Sequence, residues 1–267
     1  MRVALIYKYN VTETVRHRKE VGKMPDVKKI RLDKLLSSTG SFSRSEAGKL
    51  CRASKVTVNG LTVKDPDTKV DPERDEVSVL GKILEYRRYT YIMMNKPDGV
   101  VSATEDGDLT VIDLLPEELR RIGLFPCGRL DKNTHGLVIL TNHGDLAHFL
   151  LSPKHHVEKL YYAETKFPVS DADISLLESG IDIGGYISAP CKVVRAEEKK
   201  LYITLTEGKY HQIKLMLGGV HNQVTYLKRV SFAGIELDEE LSESSWRYLT
   251  AKEVEILTQS FNLLKIK

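Results

Sequence analysis

The chain has 267 residues, of which 41% are hydrophobic and 29% charged, a composition that favours one large or two unequal globular domains. No run of about 18 apolar residues occurs, so the sequence predicts no membrane-spanning helix. The start "MRVALIYKYN" lacks the features of a signal peptide. The cysteines Cys51, Cys127 and Cys191 form no CxxC pair, which predicts reduced thiols in a cytoplasmic protein.

Charge is unevenly distributed along the chain. Residues 1–60 contain 14 Lys or Arg and 5 Asp or Glu, a local charge of +9, whereas the remaining residues carry −6. A basic N-terminal segment followed by a mildly acidic remainder indicates a nucleic-acid-binding module joined to a second domain. A run of solvated surface charges stays an alternative. Residues 1–29 show no sustained hydrophobic period and predict a basic extension, with at most one strand at 3–7.

Two helices and a small hairpin are predicted for residues 30–80. The apolar positions of "IRLDKLLSS" have helical spacing, and Ser43 with Glu46 forms a capping box at the start of a second helix. Asn59-Gly60 is a strong hairpin signal because both turn positions require a positive φ. A strand at 76–80 completes the unit.

The stretch "RLDKLL…SRSEAGKLCRASKVTVNG" resembles the S4 RNA-binding module. The resemblance implies a clamp on the RNA backbone, whose phosphate contacts position the protein but do not read sequence. The implied contacts are Arg31, Lys34, Arg44, Lys49, Arg52 and Lys55. Residues 81–88 predict a linker, and residues 89–260 predict a second domain.

Strand-like segments outnumber helical ones in the second domain, and short hairpins are common. This pattern favours an α+β fold, with a mainly antiparallel mixed sheet flanked by helices, over a doubly wound sheet. No GxGxxG, Walker, GxSxG or HExxH motif is present, which argues against dinucleotide or nucleotide binding, serine hydrolysis and a zinc site. The sequence has no coiled-coil pattern, and we expect a monomer.

One carboxylate stands out in the segment "GRLDKNTHGLVILTNHG". Asp131 lies between Arg129 and Lys132, on a loop that precedes an apolar strand at 137–140. Functional side chains are often found on such constrained loops. The spacing alone is compatible with a helix cap, an ion-pair partner or a nucleophile.

This segment resembles the signature loop of the pseudouridine synthases, G-R-L-D-x-x-T-x-G-L-L-x-L-T-N-x-G. Further segments follow in that family's order: "YIMMNKPDGVVS", "SPKHHVEKLYYAE" and "EGKYHQIKLMLGGVHNQVTYLKRVSFAGIEL". With the S4-like module they resemble the RsuA branch, whose members modify ribosomal RNA. The resemblance implies isomerisation of one uridine, with 16S small-subunit RNA as the expected substrate. The alternatives are 23S large-subunit RNA and a catalytically inert ribosome assembly factor.

By position, the resemblance implies Asp131, Tyr161 and Lys214 as the catalytic residues. Tyr161 is favoured over Tyr162 because Lys159 sets the register of the K-x-Y pattern. At the substrate, Arg129 would hold or displace the nucleotide and Ile213 would form an apolar wall. Further substrate-binding candidates, for which a structural role stays open, are Lys96, His211 and Gln212.

These residue types suit the implied reaction. The N1–C1′ bond breaks, the base turns over, and C5 joins C1′, so the reaction needs no cofactor or metal. A carboxylate can act as a nucleophile if a neighbouring cation keeps it ionised in a dry pocket. A tyrosine can stack on the flipped base or accept a proton, and flipping a base out of RNA costs a few kcal/mol.

Three residues depart from the family pattern. His143 stands where an aspartate is usual, and Leu215 and Ser231 stand where arginines are common. None of these changes removes an implied catalytic residue. The last two reduce positive charge along the expected RNA path, so they bear on the target site more than on the chemistry.

Overall fold

The computed structural model describes residues 29–265, so the strand predicted at 3–7 and nearly all of the basic extension lie outside the described residues. Within that range no helix is long and apolar enough to cross a membrane. The helices are α1 (Leu32–Ser38), α2 (Arg44–Arg52), α3 (Glu117–Arg120), α4 (Gly144–Leu151), α5 (Asp171–Ser179), α6 (Gln212–Gly219) and α7 (Ala251–Lys265). The strands are β1 (Ile30–Arg31), β2 (Val56–Val58), β3 (Leu61–Thr62), β4 (Lys69–Val70), β5 (Val77–Val79), β6 (Lys82–Ile83), β7 (Tyr91–Lys96), β8 (Phe125–Cys127), β9 (His135–Thr141), β10 (Lys159–Thr165), β11 (Lys192–Glu197), β12 (Lys200–Leu205), β13 (Val224–Phe232), β14 (Ile235–Glu236) and β15 (Trp246–Tyr248).

The first module consists of α1, α2, a four-stranded antiparallel sheet in the order β3-β2-β5-β6 and a two-stranded antiparallel sheet of β1 and β4. Its helices and strands share an apolar core that includes Leu32, Leu36, Ala47, Cys51, Val56 and Val77. The predicted capping box starts α2: Glu46 N donates to Ser43 Oγ at 3.2 Å, and Ser43 N donates to Glu46 Oε2 at 2.7 Å. Asn59 and Gly60 both have a positive φ at the β2–β3 turn, as their sequence predicts.

The segment 81–88 is not simply the linker that its sequence predicts. Strand β6 pairs with β5 across a turn at Leu80-Gly81, and Leu84 and Tyr86 pack against the core of the first module. Both residues of β6 are exposed, so the alternation that marks a half-buried strand is missing.

A nine-stranded mixed sheet organises the second domain. Seven strands follow the order β11-β12-β10-β13-β9-β7-β15, with β14 paired to β13 and β8 paired to β9. Among the described strands of this sheet, every pairing is antiparallel except that between β13 and β9. The predicted α+β fold with a mainly antiparallel sheet is therefore confirmed.

Helices cover the sheet on two faces, and β9 lies between them. Val138 and Leu140 belong to a core that includes α5 and α6, whereas Leu137 and Ile139 belong to a core with α4 and α7. All four side chains are fully buried. Strands buried on both faces read as continuous apolar runs, and such a strand gives the loop before it a rigid base.

His143 has a packing role at the start of α4. Its ring stacks on Tyr89 with the centroids 3.6 Å apart and meets the edge of Phe261 in α7. Its Nδ1 shares a hydrogen bond of 2.7 Å with the hydroxyl of Tyr91. The histidine that departs from the family pattern at this position therefore joins α4, α7 and the start of β7.

The three cysteines are free thiols, as predicted. Burial raises the pKa of Cys127 to about 12 and the pKa of Cys191 to about 11. A thiol that stays protonated near neutral pH is a poor nucleophile, so these side chains serve packing.

Candidate active site

The loop that carries Asp131 joins β8 to β9 and is held close to the sheet. A side chain at Gly136 would place its Cβ 2.3 Å from the carbonyl oxygen of Arg229, and Gly136 has a φ of +99°. Only glycine fits both restrictions. On the other side of the loop, Leu130 is buried and its N–H donates to Ser102 Oγ at 3.1 Å.

Lys96 fastens the same loop from inside the protein. Its side chain is fully buried, and Nζ donates to the carbonyl oxygens of Pro97, Lys132 and Thr134 at 2.9, 2.9 and 2.8 Å. Burial lowers the pKa of Lys96 from 10.5 to about 8. Because all three N–H groups of the ammonium serve the main chain, Lys96 positions the loop, and its predicted contact with substrate does not fit this geometry.

Asp131 and Lys214 form an ion pair at the centre of the site. Lys214 Nζ lies 2.6 Å from Asp131 Oδ2 and also donates to Asn133 Oδ1 at 2.5 Å. The other carboxylate oxygen, Oδ1, lies 3.7 Å from His211 Nε2. One oxygen is thus fixed by the lysine, while Oδ1 receives no hydrogen bond from residues 29–265.

The cations beside Asp131 in the sequence are not its partners in space. Lys132 pairs with Asp108 at 2.6 Å, and Arg129 is exposed at the cleft. Within the described part of the chain, the ion pair of Asp131 is made by Lys214, and the imidazole of His211 lies near the other carboxylate oxygen. An ion pair of Asp131 with Arg129 or Lys132, its neighbours in the sequence, is therefore not formed.

Tyr161 and Tyr162 point to opposite faces of β10. Tyr161 is buried in the core next to the cleft. Tyr162 lies on the other face, where its hydroxyl donates to Glu164 Oε1 at 2.7 Å. Desolvation and this hydrogen bond raise the pKa of Tyr162 to about 12. The structure thus brings Tyr161, and not Tyr162, to Asp131.

One open cleft unites these groups. Asp131, Tyr161 and Lys214 all line it, although they come from a loop, a strand and a helix. The apolar part of its wall is formed by Leu130, Leu205, Ile213 and Leu227. A cleft with an apolar wall and a few convergent polar groups is typical of a small-ligand or nucleotide site.

Gln212 supports the loop before α6. Its Oε1 accepts from Lys209 N at 2.9 Å, and its Nε2 donates to Glu207 Oε1 at 2.7 Å. The side chain is buried, so the structural alternative for Gln212 fits better than a substrate contact. Gln212 and His211 both line the cleft, but no protein hydrogen bond among the described residues uses the ring of His211.

The sequence analysis did not identify two residues that support the site, Asn133 and Glu207. Asn133 shares the ammonium of Lys214, but it occupies a variable position of the loop pattern. Glu207 anchors the loop before α6, but a glutamate next to a glycine gives no signal in the sequence of a partly buried hydrogen-bond network. Their roles depend on long-range contacts that periodicity does not encode.

In the first module, the six basic residues expected to contact RNA phosphates fall into two groups, those that pair with a carboxylate and those that do not. Arg31 contacts Asp33 at 2.8 Å and also Asp67, and Arg44 lies 3.2 Å from Asp33. The hydrogen bond from Arg31 lowers the pKa of Asp33. The other four are exposed and make no ion pair among the described residues: Lys34, Lys49, Arg52 and Lys55.

Comparison with known proteins matches both parts of the chain. The family described as RNA pseudouridylate synthase matches residues 90–218, and the S4 domain matches residues 30–77. An uncharacterized RNA pseudouridine synthase of Bacillus subtilis (strain 168) is 47% identical over 86% of this chain and 99% of its own length. Ribosomal small subunit pseudouridine synthase A of Yersinia pestis is 34% identical over 84% of this chain and 97% of its own length.

A solved structure supports the same relationship. A crystal structure of a pseudouridylate synthase, 35% identical in sequence, covers 85% of this chain and 99% of its own, with a TM-score of 0.61. The matched family segment contains Asp131, Tyr161 and Lys214. The chain therefore belongs to the RNA pseudouridine synthases of the RsuA branch, a family of isomerases that act on RNA, and it carries an S4 domain before the catalytic domain.

Proposed function

We propose that this chain converts one uridine of 16S small-subunit ribosomal RNA to pseudouridine, with Asp131 as the catalytic carboxylate. The convergence of Asp131, Lys214 and Tyr161 in one cleft carries the proposal. The choice of RNA is supported by relatives named for the small ribosomal subunit, which align over nearly their whole length.

The ion pair prepares Asp131 for reaction. Lys214 holds Oδ2 and balances the charge of the carboxylate where RNA covers the cleft and excludes water. Oδ1 is then the oxygen that meets the target nucleotide. During the isomerisation the N1–C1′ bond breaks and a C5–C1′ bond forms, so that C5 loses its proton and N1 gains one.

Tyr161 and the apolar wall receive the uracil. The tyrosine ring offers a stacking surface, and Ile213 and Leu205 keep that side of the cleft dry. The phenolic oxygen of Tyr161 can relay the C5 proton once the new bond has formed, because it can take up this proton while it passes its own proton on to solvent or to N1.

Two further features suit a structured RNA substrate. Arg129 is exposed at the cleft, where a planar cation can bind phosphates or occupy the space that a flipped nucleotide leaves. The S4 domain presents exposed cations that can bind the RNA backbone: Lys34, Lys49, Arg52 and Lys55.

Base-resolved mapping of pseudouridine in ribosomal RNA from a strain that lacks this gene tests the proposal. We expect one small-subunit uridine to remain unmodified and to be modified again when the wild-type gene is restored. Loss of a site in large-subunit RNA alone would move the substrate to 23S RNA. Unchanged modification in both subunits, with RNA binding intact, would favour an assembly factor without catalytic activity.

A further inference from the structure

A stacked pair of rings extends from the cleft to solvent. His211 and Tyr210 lie 3.8 Å apart between ring centroids, with an angle of 18° between their planes. His211 Nε2 is 3.7 Å from Asp131 Oδ1. Tyr210 is 78% exposed, more than any other large apolar or aromatic side chain that the structure describes. The two rings thus form an aromatic step that leads outward from the catalytic carboxylate.

The packing of the protein does not explain Tyr210. Between residues 29 and 265, its hydroxyl has no hydrogen-bond partner, and its one ring contact is with His211. Scattered apolar groups at a surface are common, but this ring is stacked on a residue that lines the catalytic cleft. One face of Tyr210 is occupied by the histidine, which leaves the other face for a ligand.

The segment that carries the pair has an unusual backbone conformation and is anchored by hydrogen bonds. His211 has a φ of 50°, a left-handed conformation that is costly for a residue other than glycine and that is often found near functional sites. Glu207 secures the segment by accepting hydrogen bonds from Gln212 Nε2, Tyr186 Oη and Ala189 N at 2.7, 2.8 and 2.8 Å. The rings are therefore positioned before RNA arrives.

Lys209, which precedes the pair in the sequence, supplies a cation at the cleft. Lys209 Nζ is 4.1 Å from the ring centroid of Tyr186, and it pairs with no carboxylate in the described part of the chain. Exposed Arg129 lines the same cleft. Exposed aromatic rings beside unpaired cations are the combination that binds single-stranded nucleic acid, because bases stack on the rings and phosphates contact the cations.

We propose that Tyr210, supported by His211, is a stacking platform for the nucleobase next to the target uridine. When a uridine leaves its stack, the adjacent base loses a neighbour on one face, and the free face of Tyr210 replaces that neighbour. The inference rests on the proposed function and extends it: the enzyme selects a uridine whose neighbouring base is free to stack on protein.

Steady-state kinetics of Tyr210→Ala on protein-free small-subunit ribosomal RNA transcript tests this platform. Loss of one base–aromatic stack should raise KM by about 5- to 150-fold, with a much smaller change in kcat. Tyr210→Phe keeps the ring and should recover most of the affinity. Phe167→Ala is the matched control, because Phe167 is 51% exposed, lies near Lys166, and is not part of the cleft. Equal KM values for Tyr210→Ala and Phe167→Ala would overturn the inference.

Substrates that lack one base identify the nucleotide involved. On an RNA without the base on one side of the target uridine, Tyr210→Ala should cause little further loss, whereas removal of the base on the other side should leave its effect intact. If Tyr210→Ala causes its full loss on both of these RNAs, whichever neighbouring base is missing, the inference would be overturned. The wild-type enzyme in the same assay tests the proposed function, because the 16S assignment fails if this enzyme forms no pseudouridine in the transcript. In that case the Kd values of wild type and Tyr210→Ala for the same RNA still decide whether the Tyr210 ring binds RNA.

Discussion

Lys96 donates a hydrogen bond of 2.8 Å to the main-chain oxygen of Thr134, three residues after Asp131. Two further bonds from the same ammonium reach Lys132 and Pro97, so one buried side chain of β7 holds the loop that carries Asp131 at two points, Lys132 and Thr134. The position of Asp131 therefore depends on the charge of a lysine that does not line the cleft. This dependence on the charge of Lys96 can be measured as a change of enzyme activity with pH.

The first prediction is that wild-type kcat falls as the pH rises through about 8. Burial lowers the pKa of Lys96 from 10.5 to about 8, and the neutral amine has only two N–H groups for three carbonyl oxygens. The contribution of Lys96 to the free energy of unfolding should change in the opposite direction. Between about pH 8 and 10.5 the unfolded chain binds the additional proton, so rising pH favours the folded state at this residue.

Lys96→Met separates this lysine from other titrating groups. The variant should have a kcat about 10- to 100-fold below wild type at pH 7, because small displacements of reacting groups are costly, and should show much less of the decline near pH 8. RNA binding serves as the control and should change little. A wild-type kcat that stays constant to pH 9.5 would be inconsistent with this role of Lys96.

The second prediction concerns the partner of the carboxylate. Lys214→Met should lower kcat by at least about 100-fold, a loss typical of removing one preorganised electrostatic partner. Asn133→Ala should cause a smaller loss, since it removes one of two acceptors that hold the ammonium. In an Asp131→Asn background, Lys214→Met should add little, because the two residues act as a unit. If Lys214→Met lowers the single-turnover rate by the same factor in the Asp131→Asn background as in wild type, the result would argue against the ion pair as a functional unit.

The third prediction compares adjacent tyrosines of β10. Tyr161→Phe should reduce kcat with little change in RNA affinity if the phenol accepts a proton, and Tyr161→Leu should reduce both. Tyr162→Phe is the matched control, because Tyr162 faces away from the cleft and bonds to Glu164. Its kinetics should match those of wild type. Equal losses in Tyr161→Phe and Tyr162→Phe would remove the case for a specific phenol.

The fourth prediction concerns salt dependence of RNA binding. If Lys49, Arg52 and Lys55 contact phosphates, their joint replacement by alanine should lower the slope of log Kobs against log salt by about 2 to 3. Turnover at saturating RNA should stay close to wild type. Lys252→Ala, which removes an exposed cation from α7, should leave the slope unchanged. An unaltered slope in the triple variant would place the phosphate contacts elsewhere.

Local signals predicted the first module well because capping and turn requirements act over a few residues. Ser43 with Glu46 marked the start of α2, and Asn59-Gly60 marked the hairpin. Strand β6 escaped prediction since two exposed residues cannot show alternation. The conformation of 81–88 depends on pairing with β5, which is a tertiary effect.

The site could not be assembled from spacing. Asp131 and Lys214 are 83 positions apart, and Arg129 and Lys132 were the nearer cations in the sequence. The family resemblance, rather than periodicity, pointed to Lys214. The burial of Lys96 and Gln212 was beyond reach because long polar side chains are usually exposed, and only tertiary contacts show that these two are enclosed.

Pseudouridine formation by Asp131→Asn, compared with wild type on the same ribosomal RNA, tests the central claim most directly. Asparagine keeps the size of the side chain and an oxygen that can accept from Lys214, but it cannot act as a carboxylate. We predict turnover at least about 10,000-fold lower, with the Kd for RNA nearly unchanged. An Asp131→Asn enzyme that forms pseudouridine at the wild-type rate would contradict the assignment of Asp131.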